Sequence, residues 1–264
     1  MAEKNAKKNT ITGDMRREKI LDMIQEDGHV KVSDLSQIFK VSEVTIRQDL
    51  EKLDNEGFIV REHGGAYLKS ISSQVRSFTL QHQENMEKKM RIGKKAAELI
   101  HNGDTIILDS GTTTTEIAKN LMNRKNLTVI TNALNIAMML GGEPSISVIM
   151  TGGEFKAPTL SLTGEKASAF FNDLHVDKLF LATAGISLKS GLTYPSISDL
   201  VVKKAMIHAA ETVYLVADST KIGQSSLASL GALSLVHYLI TDSDLKDKHR
   251  KVFDEHEIQY IIAE

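Results

Sequence analysis

Four polar side chains in a short stretch of the chain have the types and spacing needed to read DNA bases: Glu43, Thr45, Arg47 and Gln48. An arginine can donate two hydrogen bonds to guanine, a glutamine can pair with adenine, and a threonine methyl group can contact thymine. In a helix these positions lie on or near the exposed face at its start, which is where a recognition helix meets base edges. The stretch predicts a helix that enters the major groove of DNA.

Two short helices joined by a tight turn would hold these side chains in place. The first helix is predicted by apolar residues at helical spacing, Leu35, Ile38 and Phe39. We expect Ser33 to be its N-cap, and Ser42 to be the N-cap of the second helix. Thr45 stands where a complete capping box would carry Glu or Gln. The second helix is expected to turn three apolar side chains inward, Val44, Leu50 and Leu53.

The flanking segments complete a winged helix-turn-helix. Residues 17–28 form a predicted amphipathic helix, and Gly57 ends the recognition helix. Residues 58–68 are typical of two short strands around a His-Gly-Gly turn, and this hairpin wing would place Arg61 and His63 beside a phosphate backbone. A helical hairpin used for protein contact is the alternative, but it leaves the wing unexplained.

The composition of the 264-residue chain excludes several classes of protein. Without cysteine the chain can form neither disulfides nor thiolate metal sites, and its nine histidines show no metal-ligand spacing, so we expect no metal. No apolar run reaches the length of a membrane span, and the N-terminus lacks the apolar core of a signal peptide. We therefore expect a cytoplasmic protein with no membrane partner.

The charge balance does not by itself indicate DNA binding. The formal net charge is −2, and residues 1–69 hold 12 Lys and Arg against 13 Asp and Glu. Affinity for DNA depends on local charge at the phosphates, and several residues could form a local basic surface: Lys4, Lys7, Lys8, Arg16, Arg17, Arg47 and Arg61. A single domain of this kind would bind weakly, so we expect a homodimer or homotetramer.

Four segments are predicted along the chain. Residues 1–14 form a disordered arm, residues 15–68 the winged helix-turn-helix, residues 69–83 a linker, and residues 84–264 an effector-sensing α/β domain. In the last segment, seven apolar runs of strand length alternate with helical segments. This pattern is typical of a mainly parallel, Rossmann-like sheet with helices on both faces, so the expected fold class is multidomain α/β.

The first strand of this sheet runs into a turn that could hold an anion. Gly111 permits close backbone approach, and hydroxyls follow beside the N–H groups of a helix start: Thr112, Thr113 and Thr114. This arrangement suits a phosphate, although an ordinary helix-capping turn explains it about equally well. The chain has neither a Walker motif nor a GxGxxG fingerprint, and we expect no cofactor.

Polar residues and glycines near other strand ends favour a ligand site: Asn132, Gly164, Asp218 and Lys221. In a parallel sheet the carboxyl ends of the strands form the ligand-binding edge. Such residues together would suit a small anionic ligand, with Lys221 as its counter-charge. Asp199 and Lys204 are expected to add to the rim of the site.

The run from residue 42 to residue 68 resembles the DeoR-type bacterial transcriptional regulators. The matching residues are Ser42, Thr45, Ile46, Arg47, Asp49, Leu50, Gly64 and Gly65. Gln48 departs from the family pattern, which usually has a second arginine there. The predicted DNA-binding residues are accordingly Ser42, Glu43, Thr45, Arg47, Gln48, Arg61 and His63.

Residues 84–240 resemble the sensor domain of the same family through the motifs DSGTTT, TNALNIA, TGGE, TGE, AGIS, VKKAMI and DSTKIG. The resemblance implies a fold related to sugar-phosphate isomerases and an effector that is a phosphorylated sugar or polyol. It implies that the phosphate is cradled by Asp109, Gly111, Thr112, Thr113 and Thr114. It also implies nearby contacts from Asn132, Gly164, Asp218 and Lys221.

These features suggest three alternative functions. The first is a regulator that binds double-stranded operator DNA, usually as a repressor of a sugar or polyol catabolic operon, under control of a sugar phosphate. The second is an isomerase-like enzyme with a DNA-binding appendage and an aspartate as base, drawn from Asp109, Asp199 and Asp218. Such isomerases carry an acid-rich segment where this chain has residues 182–185, Ala-Thr-Ala-Gly, so we predict no catalytic residue. The third, a nucleoid or scaffold protein, leaves the strand-end residues unexplained.

Overall fold

A computed structural model describes residues 12–68 and 81–264 of the chain. The chain divides into two compact units, Met1–Ser70 and Ile71–Glu264. Within the described ranges, no helix has both the length and the apolar character that crossing a membrane requires.

The first unit is a winged helix-turn-helix, as predicted. Its elements in chain order are α1 (Gly13–Asp27), β1 (His29–Lys31), α2 (Val32–Phe39), α3 (Glu43–Asn55), β2 (Val60–Glu62) and β3 (Gly65–Tyr67). The strands form an antiparallel sheet in the order β1-β3-β2. Because β1 is only three residues long, the sequence pattern did not reveal that the wing hairpin has a third strand. The three helices enclose fully or almost fully buried side chains, Ile20, Ile24, Leu35, Ile46, Leu50 and Leu53.

Three local predictions for this unit were wrong. Lys31, not Ser33, is the N-cap of α2, and Ser33 lies in the first turn with its hydroxyl 3.0 Å from a carboxylate oxygen of Asp34. Val44 was predicted to face inward, but at the start of α3 it is 61% exposed. The helix α1 begins at Gly13, inside the predicted arm, while residues 1–11 lie outside the described part of the chain.

The second unit is built on a seven-stranded parallel sheet. Its strands are β4 (Thr105–Leu108), β5 (Leu127–Thr131), β6 (Ile146–Met150), β9 (Val176–Ala182), β12 (Ala210–Val216), β14 (Tyr238–Asp242) and β15 (Gln259–Ala263). They lie in the order β15-β14-β12-β9-β4-β5-β6, and every neighbouring pair is parallel. The strand order reverses between β4 and β9, so the Rossmann-like prediction is confirmed and the sheet has its topological switch point there.

Helices cover both faces of this sheet. They are α4 (Met86–Glu98), α5 (Thr112–Lys119), α6 (Leu134–Leu140), α7 (Glu165–Ala169), α8 (Leu200–Ala209) and α9 (Asp247–Glu255). Successive strand residues pack on opposite faces, as Leu179 and Leu181 join one core and Phe180 the other. The first three helices contribute to the core that contains Phe180, and the last three contribute to the core that contains Leu179.

Short antiparallel strands lie beside the main sheet, and the sequence pattern did not predict them. β7 (Glu154–Lys156) and β8 (Ser161–Thr163) form a hairpin. β10 (Gly185–Ser187), β11 (Gly191–Tyr194) and β13 (Ala228–Gly231) form a separate sheet in that order. The predicted single strand that ended in AGIS is therefore two strands in two sheets. The predicted linker 69–83 falls mostly outside the described residues, and its last three residues, 81–83, are helical.

Candidate functional site

The start of α3 presents the polar face predicted for a recognition helix. Ser42 caps the helix, since its hydroxyl accepts a hydrogen bond from the N–H of Thr45 at 3.2 Å. The hydroxyls of Ser42 and Thr45 also lie 2.9 Å apart, whereas the Glu or Gln of a complete capping box would accept from the backbone N–H of the N-cap. Glu43 and Gln48 are exposed, so α3 begins with hydrogen-bonding groups that face solvent.

Arg47 is exposed and already paired with an acid of its own helix. Its Nη2 lies 2.7 Å from Oε2 of Glu43, and the two side chains are 54% and 48% exposed. An exposed pair at this spacing contributes only about 0.3–0.5 kcal/mol. A guanine or a phosphate can therefore replace Glu43 as the partner of Arg47 at little cost.

The wing and α3 border an open cleft of about 490 Å³. Its lining includes Arg47, Arg61 and His63, three of the predicted DNA-binding residues, and also one acid, Glu62. The turn of the wing, between β2 and β3, needs glycine at two positions. Gly64 has a φ of 88°, in the left-handed region, and a Cβ at Gly65 would lie 2.1 Å from the carbonyl oxygen of Val30. The two glycines thus allow the wing to fold closely against β1.

Asp49, buried inside this unit, links two of its helices, a role that the sequence pattern did not predict. Its carboxylate is buried and accepts from Nε of Arg16 at 2.6 Å and from Nη1 of Arg17 at 3.3 Å. The predicted local basic surface therefore differs from expectation at these two arginines, because their charges are balanced by Asp49. The pairs join the first turn of α1 to the middle of α3.

In the second unit, Asp109 and Gly111 lie at the switch point of the sheet. Oδ2 of Asp109 accepts from the N–H of Ala182 at 3.1 Å and from Nζ of Lys203 at 2.5 Å. Burial raises the pKa of the Asp109 carboxyl, and Lys203 and the Ala182 N–H oppose that rise. Oδ1 of Asp109 is buried without a hydrogen-bond partner. A Cβ at Gly111 would lie 2.6 Å from that of Ala182, so only glycine fits the turn after β4 against the end of β9.

The three predicted threonines start α5 but differ in exposure. Thr112 is partly buried, Thr113 is 6% exposed and Thr114 is fully buried. The Thr114 hydroxyl donates to the carbonyl oxygen of Gly111 at 2.9 Å, and Thr115 donates to the same oxygen at 2.7 Å. The start of α5 therefore has no side-chain N-cap, and the hydroxyls of Thr114 and Thr115 bond to its own backbone.

Asn132 is engaged within the protein. Its Oδ1 accepts from the N–H of Ser110 at 3.0 Å, and its Nδ2 donates to the carbonyl oxygen of Leu162 at 3.1 Å. It therefore ties the ends of β4 and β5 to β8. Gly164 follows β8 with a φ of 88° and begins α7. In this arrangement Asn132 positions the loops around it.

Asp218 and Lys221 lie in the loop after β12, close to a buried lysine that the sequence analysis did not single out. Asp218 accepts hydrogen bonds from the N–H and the hydroxyl of Thr220. Lys89 of α4 is only 4% exposed, and its Nζ donates to the carbonyl oxygen of Gln81 at 2.5 Å. Burial lowers the pKa of Lys89, and the charge of Lys221 lowers it further. The carboxylates of Asp218, Glu84 and Glu116 oppose this lowering, so Lys89 and Lys221 lie among both acidic and basic side chains.

Two further buried cations, Lys156 and Lys203, were also missed. Lys203 pairs with Asp109, and its ammonium lies 4.8 Å from the centre of the Tyr194 ring. Lys156 of β7 pairs with Asp199 at 2.7 Å. Lys204, which was predicted for the rim of the site, is exposed on α8. The phase of the helix turns its neighbour Lys203 toward the interior instead. Adjacent lysines are alike in sequence, and only the phase of the helix separates them.

The two units together define a class of protein, a winged helix-turn-helix regulator with a Rossmann-like sensor domain. Two protein-family sequence models match the chain. The DeoR-like helix-turn-helix domain matches residues 16–73, and the DeoR C terminal sensor domain matches residues 84–243. The chain belongs to the DeoR family of transcriptional regulators, as its motifs predicted.

Relatives with curated names resemble this chain over almost its whole length. The HTH-type transcriptional regulator GolR of Listeria innocua is 34% identical, over 94% of this chain and 98% of its own. The glycerol-3-phosphate regulon repressor of Escherichia coli is 33% identical, over 92% and 96%. The HTH-type transcriptional regulator IolR of Bacillus subtilis is 32% identical, over 94% and 99%. The prediction of a DNA-binding transcription regulator is thereby confirmed.

Solved structures resemble the chain only distantly. Ribose 5-phosphate isomerase A of Methanocaldococcus jannaschii has a TM-score of 0.39 and 17% identity, over 52% of this chain and 55% of its own. The eIF2B beta subunit of Chaetomium thermophilum has a TM-score of 0.43 and 14% identity, over 94% and 70%. Scores this low support no conclusion about function.

Proposed function

We propose that this regulator represses an operon for the breakdown of a sugar or polyol and that a phosphorylated intermediate of that breakdown controls its binding to DNA. The observation that carries the proposal is the group of buried polar and charged residues around the carboxyl edge of the sensor sheet, among them Asp109, Asn132 and Lys203. The glycerol-3-phosphate regulon repressor among the relatives supports the same class of function.

The proposed phosphate site combines the start of α5 with two lysines. N–H groups at Thr112, Thr113 and Thr114 point along the helix start, where the helix dipole favours an anion. Lys221 was the predicted counter-charge, and Lys89 joins it from α4. Asp109 and Gly111 complete the proposed phosphate cradle, and Asn132, Gly164 and Asp218 are the proposed nearby contacts.

In the DNA-bound state, the proposed contacts come from seven residues of the first unit: Ser42, Glu43, Thr45, Arg47, Gln48, Arg61 and His63. Base contacts are assigned to the start of α3, and phosphate contacts to the wing. We propose that the protein acts as a homodimer or a homotetramer, because a helix-turn-helix reader usually engages paired half-sites.

The isomerase-like alternative receives little support from the geometry. A general base needs a carboxylate that can reach a substrate proton. Each aspartate that could serve is engaged: Asp109 with Lys203, Asp199 with Lys156 and Asp218 with Thr220. We therefore propose that the sensor unit binds its ligand without turning it over.

Fluorescence anisotropy of the full-length protein on DNA from upstream of its own transcription unit tests the proposal. The titration is repeated at fixed salt with glycerol 3-phosphate, glucose 6-phosphate, fructose 1-phosphate and inorganic phosphate. Selective DNA binding that one sugar phosphate weakens by roughly 5–150-fold is the expected result. Selective binding that no sugar phosphate alters would remove the sensor assignment. Conversion of any of these compounds by the same preparation would favour the enzyme.

A further inference from the structure

The segment Gln81–Lys89 follows directly after the stretch of chain that joins the two units. Within the sensor unit its polar side chains and backbone contact two elements of the proposed phosphate site. One is α5, which begins with the threonine turn. The other is the loop from Asp218 to Lys221. We call this segment the sensor entry.

Its first attachment is to α5. Nε2 of His82 lies 2.7 Å from Oε1 of Glu116, which is 3% exposed. Lys119 of the same helix also pairs with Glu116, at 2.6 Å. The backbones of α4 and α5 are close as well, because a Cβ at Gly93 would lie 2.6 Å from the carbonyl carbon of Glu116. A shift of α5 would therefore be passed directly to His82.

Its second attachment is to the loop after β12. Nζ of Lys88 donates to the Ser219 hydroxyl at 3.0 Å and lies 3.2 Å from Oδ1 of Asp242. Asp242 is fully buried and also accepts from the N–H of Ser219 at 2.7 Å. Burial opposes the charged form of Lys88, but its bonds to Asp244 and Asp242 outweigh burial and raise its pKa. Lys88 is thus charged, and its hydrogen bond to Ser219 links α4 to the loop after β12.

The third attachment is Lys89, which belongs both to the sensor entry and to the proposed ligand site. It holds the carbonyl oxygen of Gln81 and lies within the field of Lys221. An anion bound near Lys221 would also attract Lys89. The ammonium of Lys89 would therefore interact with both the carbonyl oxygen of Gln81 and the bound ligand.

We propose that the sensor entry is the output of the ligand site, and that Lys88 and His82 transmit ligand binding to the DNA-binding unit without contacting the ligand. The inference rests on the proposed function, since it assumes that an anion binds at the start of α5 and at Lys221. Coupling of this kind requires an element that both sites bias, and the sensor entry is our candidate because it contacts both ligand elements and follows the DNA-binding unit in the chain.

Two variants separate transmission from binding. Lys88→Met removes the link to the loop after β12, while Asp242 keeps its bonds from Ser219 and Asp244. His82→Phe removes the link to α5, while Glu116 keeps Lys119. The matched control is Lys94→Met, because Lys94 is an exposed lysine on the same helix.

Each full-length variant is measured in three ways: DNA affinity without ligand, affinity for the most effective compound of the panel above, and DNA affinity at saturating concentration of that compound. For Lys88→Met and His82→Phe we expect the first two affinities to stay within about threefold of wild type. We expect the ligand-induced change in DNA affinity to fall from roughly 5–150-fold to within about twofold in the double variant. Lys94→Met should respond as wild type does.

The outcomes distinguish this inference from the proposed function. A wild-type protein that responds to no sugar phosphate refutes both. A responsive wild type whose double variant responds equally refutes the transmission role alone. Loss of ligand binding in either single variant would also overturn it, because that residue would then belong to the ligand site. If Lys88→Met fails to fold, as judged by its thermal unfolding, His82→Phe gives the same test from the other attachment.

Discussion

In the free protein Arg47 is paired with a carboxylate of its own helix, 2.7 Å away on Glu43. The pair is exposed and weak, so a DNA group can replace Glu43 as the partner of Arg47. A base edge in the right position offers Arg47 two hydrogen bonds instead of one. We therefore expect Arg47 to exchange Glu43 for a base edge when α3 meets the operator.

Replacement of Arg47 by alanine should weaken operator binding by roughly 5–150-fold, the usual cost of losing a base contact of about 1–3 kcal/mol. The fold should be unaffected, because the side chain is 54% exposed. Fluorescence anisotropy at fixed salt measures the change. Lys52→Ala, at an exposed lysine near the end of the same helix, is the control and should bind as wild type does. Unchanged affinity in Arg47→Ala would show that α3 does not read the operator.

In the sensor unit, Lys221 carries the most direct prediction about the ligand. Lys221→Ala should lower affinity for the sugar phosphate by roughly 10–150-fold, since hydrogen bonds to charged groups contribute about 1.5–3 kcal/mol. DNA affinity without ligand should stay within about twofold. Isothermal titration calorimetry and anisotropy measure the two effects, and Lys204→Ala, at an exposed lysine, is the control. A variant that binds the ligand normally would place Lys221 outside the site.

At the scale of elements, buried ion pairs join segments that are distant in sequence. Asp49 connects α1 with α3, Asp109 connects the end of β4 with α8, and Asp242 connects the end of β14 with α4. In each case a carboxylate in one element receives donors from another. Such pairs position elements relative to each other, although they are weak evidence for net stability because desolvation opposes them.

Asp242 gives a test through pH. Burial opposes its ionised form, but hydrogen bonds from Ser219, Asp244 and Lys88 outweigh burial and lower its pKa below the ordinary value of 3.8. Folding therefore favours the ionised carboxylate. The stabilisation is fully present above the unfolded-state value and is lost as the pH falls through the lower folded-state pKa.

Asp242→Asn should accordingly lower the free energy of unfolding at pH 7 by about 1.5–3 kcal/mol. The difference from wild type should shrink as the pH falls below 3.8. Urea unfolding between neutral and acidic pH measures it, and Asp247→Asn, whose side chain is 93% exposed, is the control. A difference that does not change with pH would mean that the ionised form of Asp242 is not what stabilises the fold.

At the scale of the whole molecule, the small charge of the DNA-binding unit limits how tightly one copy can hold DNA. Counterion release grows with the number of phosphates that a protein neutralises. Two of the unit's four arginines are balanced internally by Asp49, which leaves Arg47 and Arg61 as the arginines at the cleft. The proposed homo-oligomer would supply further operator affinity by placing paired units on one DNA.

DNA that carries two half-sites one helical turn apart should bind at least about 100-fold more tightly than DNA with one half-site, by the usual gain from bivalency. Anisotropy on the two DNAs gives the ratio, and sedimentation velocity gives the oligomeric state. Scrambling the second half-site at constant length is the control for non-specific binding. Equal affinities, with a sedimenting monomer, would contradict the proposed homo-oligomer.

Local chemistry was sufficient to predict the helix-turn-helix, the strands of the main sheet and the class of protein. The spacing of Leu35, Ile38 and Phe39, the cap at Ser42 and the two wing glycines are properties of neighbouring residues, so a winged helix-turn-helix could be predicted. Seven apolar runs predicted seven parallel strands, because a strand buried on both faces is apolar throughout. The family motifs then indicated a transcription regulator with a sensor domain.

Contacts between distant residues were decided only by the tertiary structure. No local rule shows that Lys203 rather than Lys204 faces the sheet, or that Asp49 binds two arginines more than 30 positions away. The inward direction expected for Val44 was wrong because tertiary packing, not apolar character, determines which side of a helix is covered. The links from Lys88 and His82 to the proposed ligand elements arise in the same way, since they depend on which strands and helices become neighbours when the sheet forms.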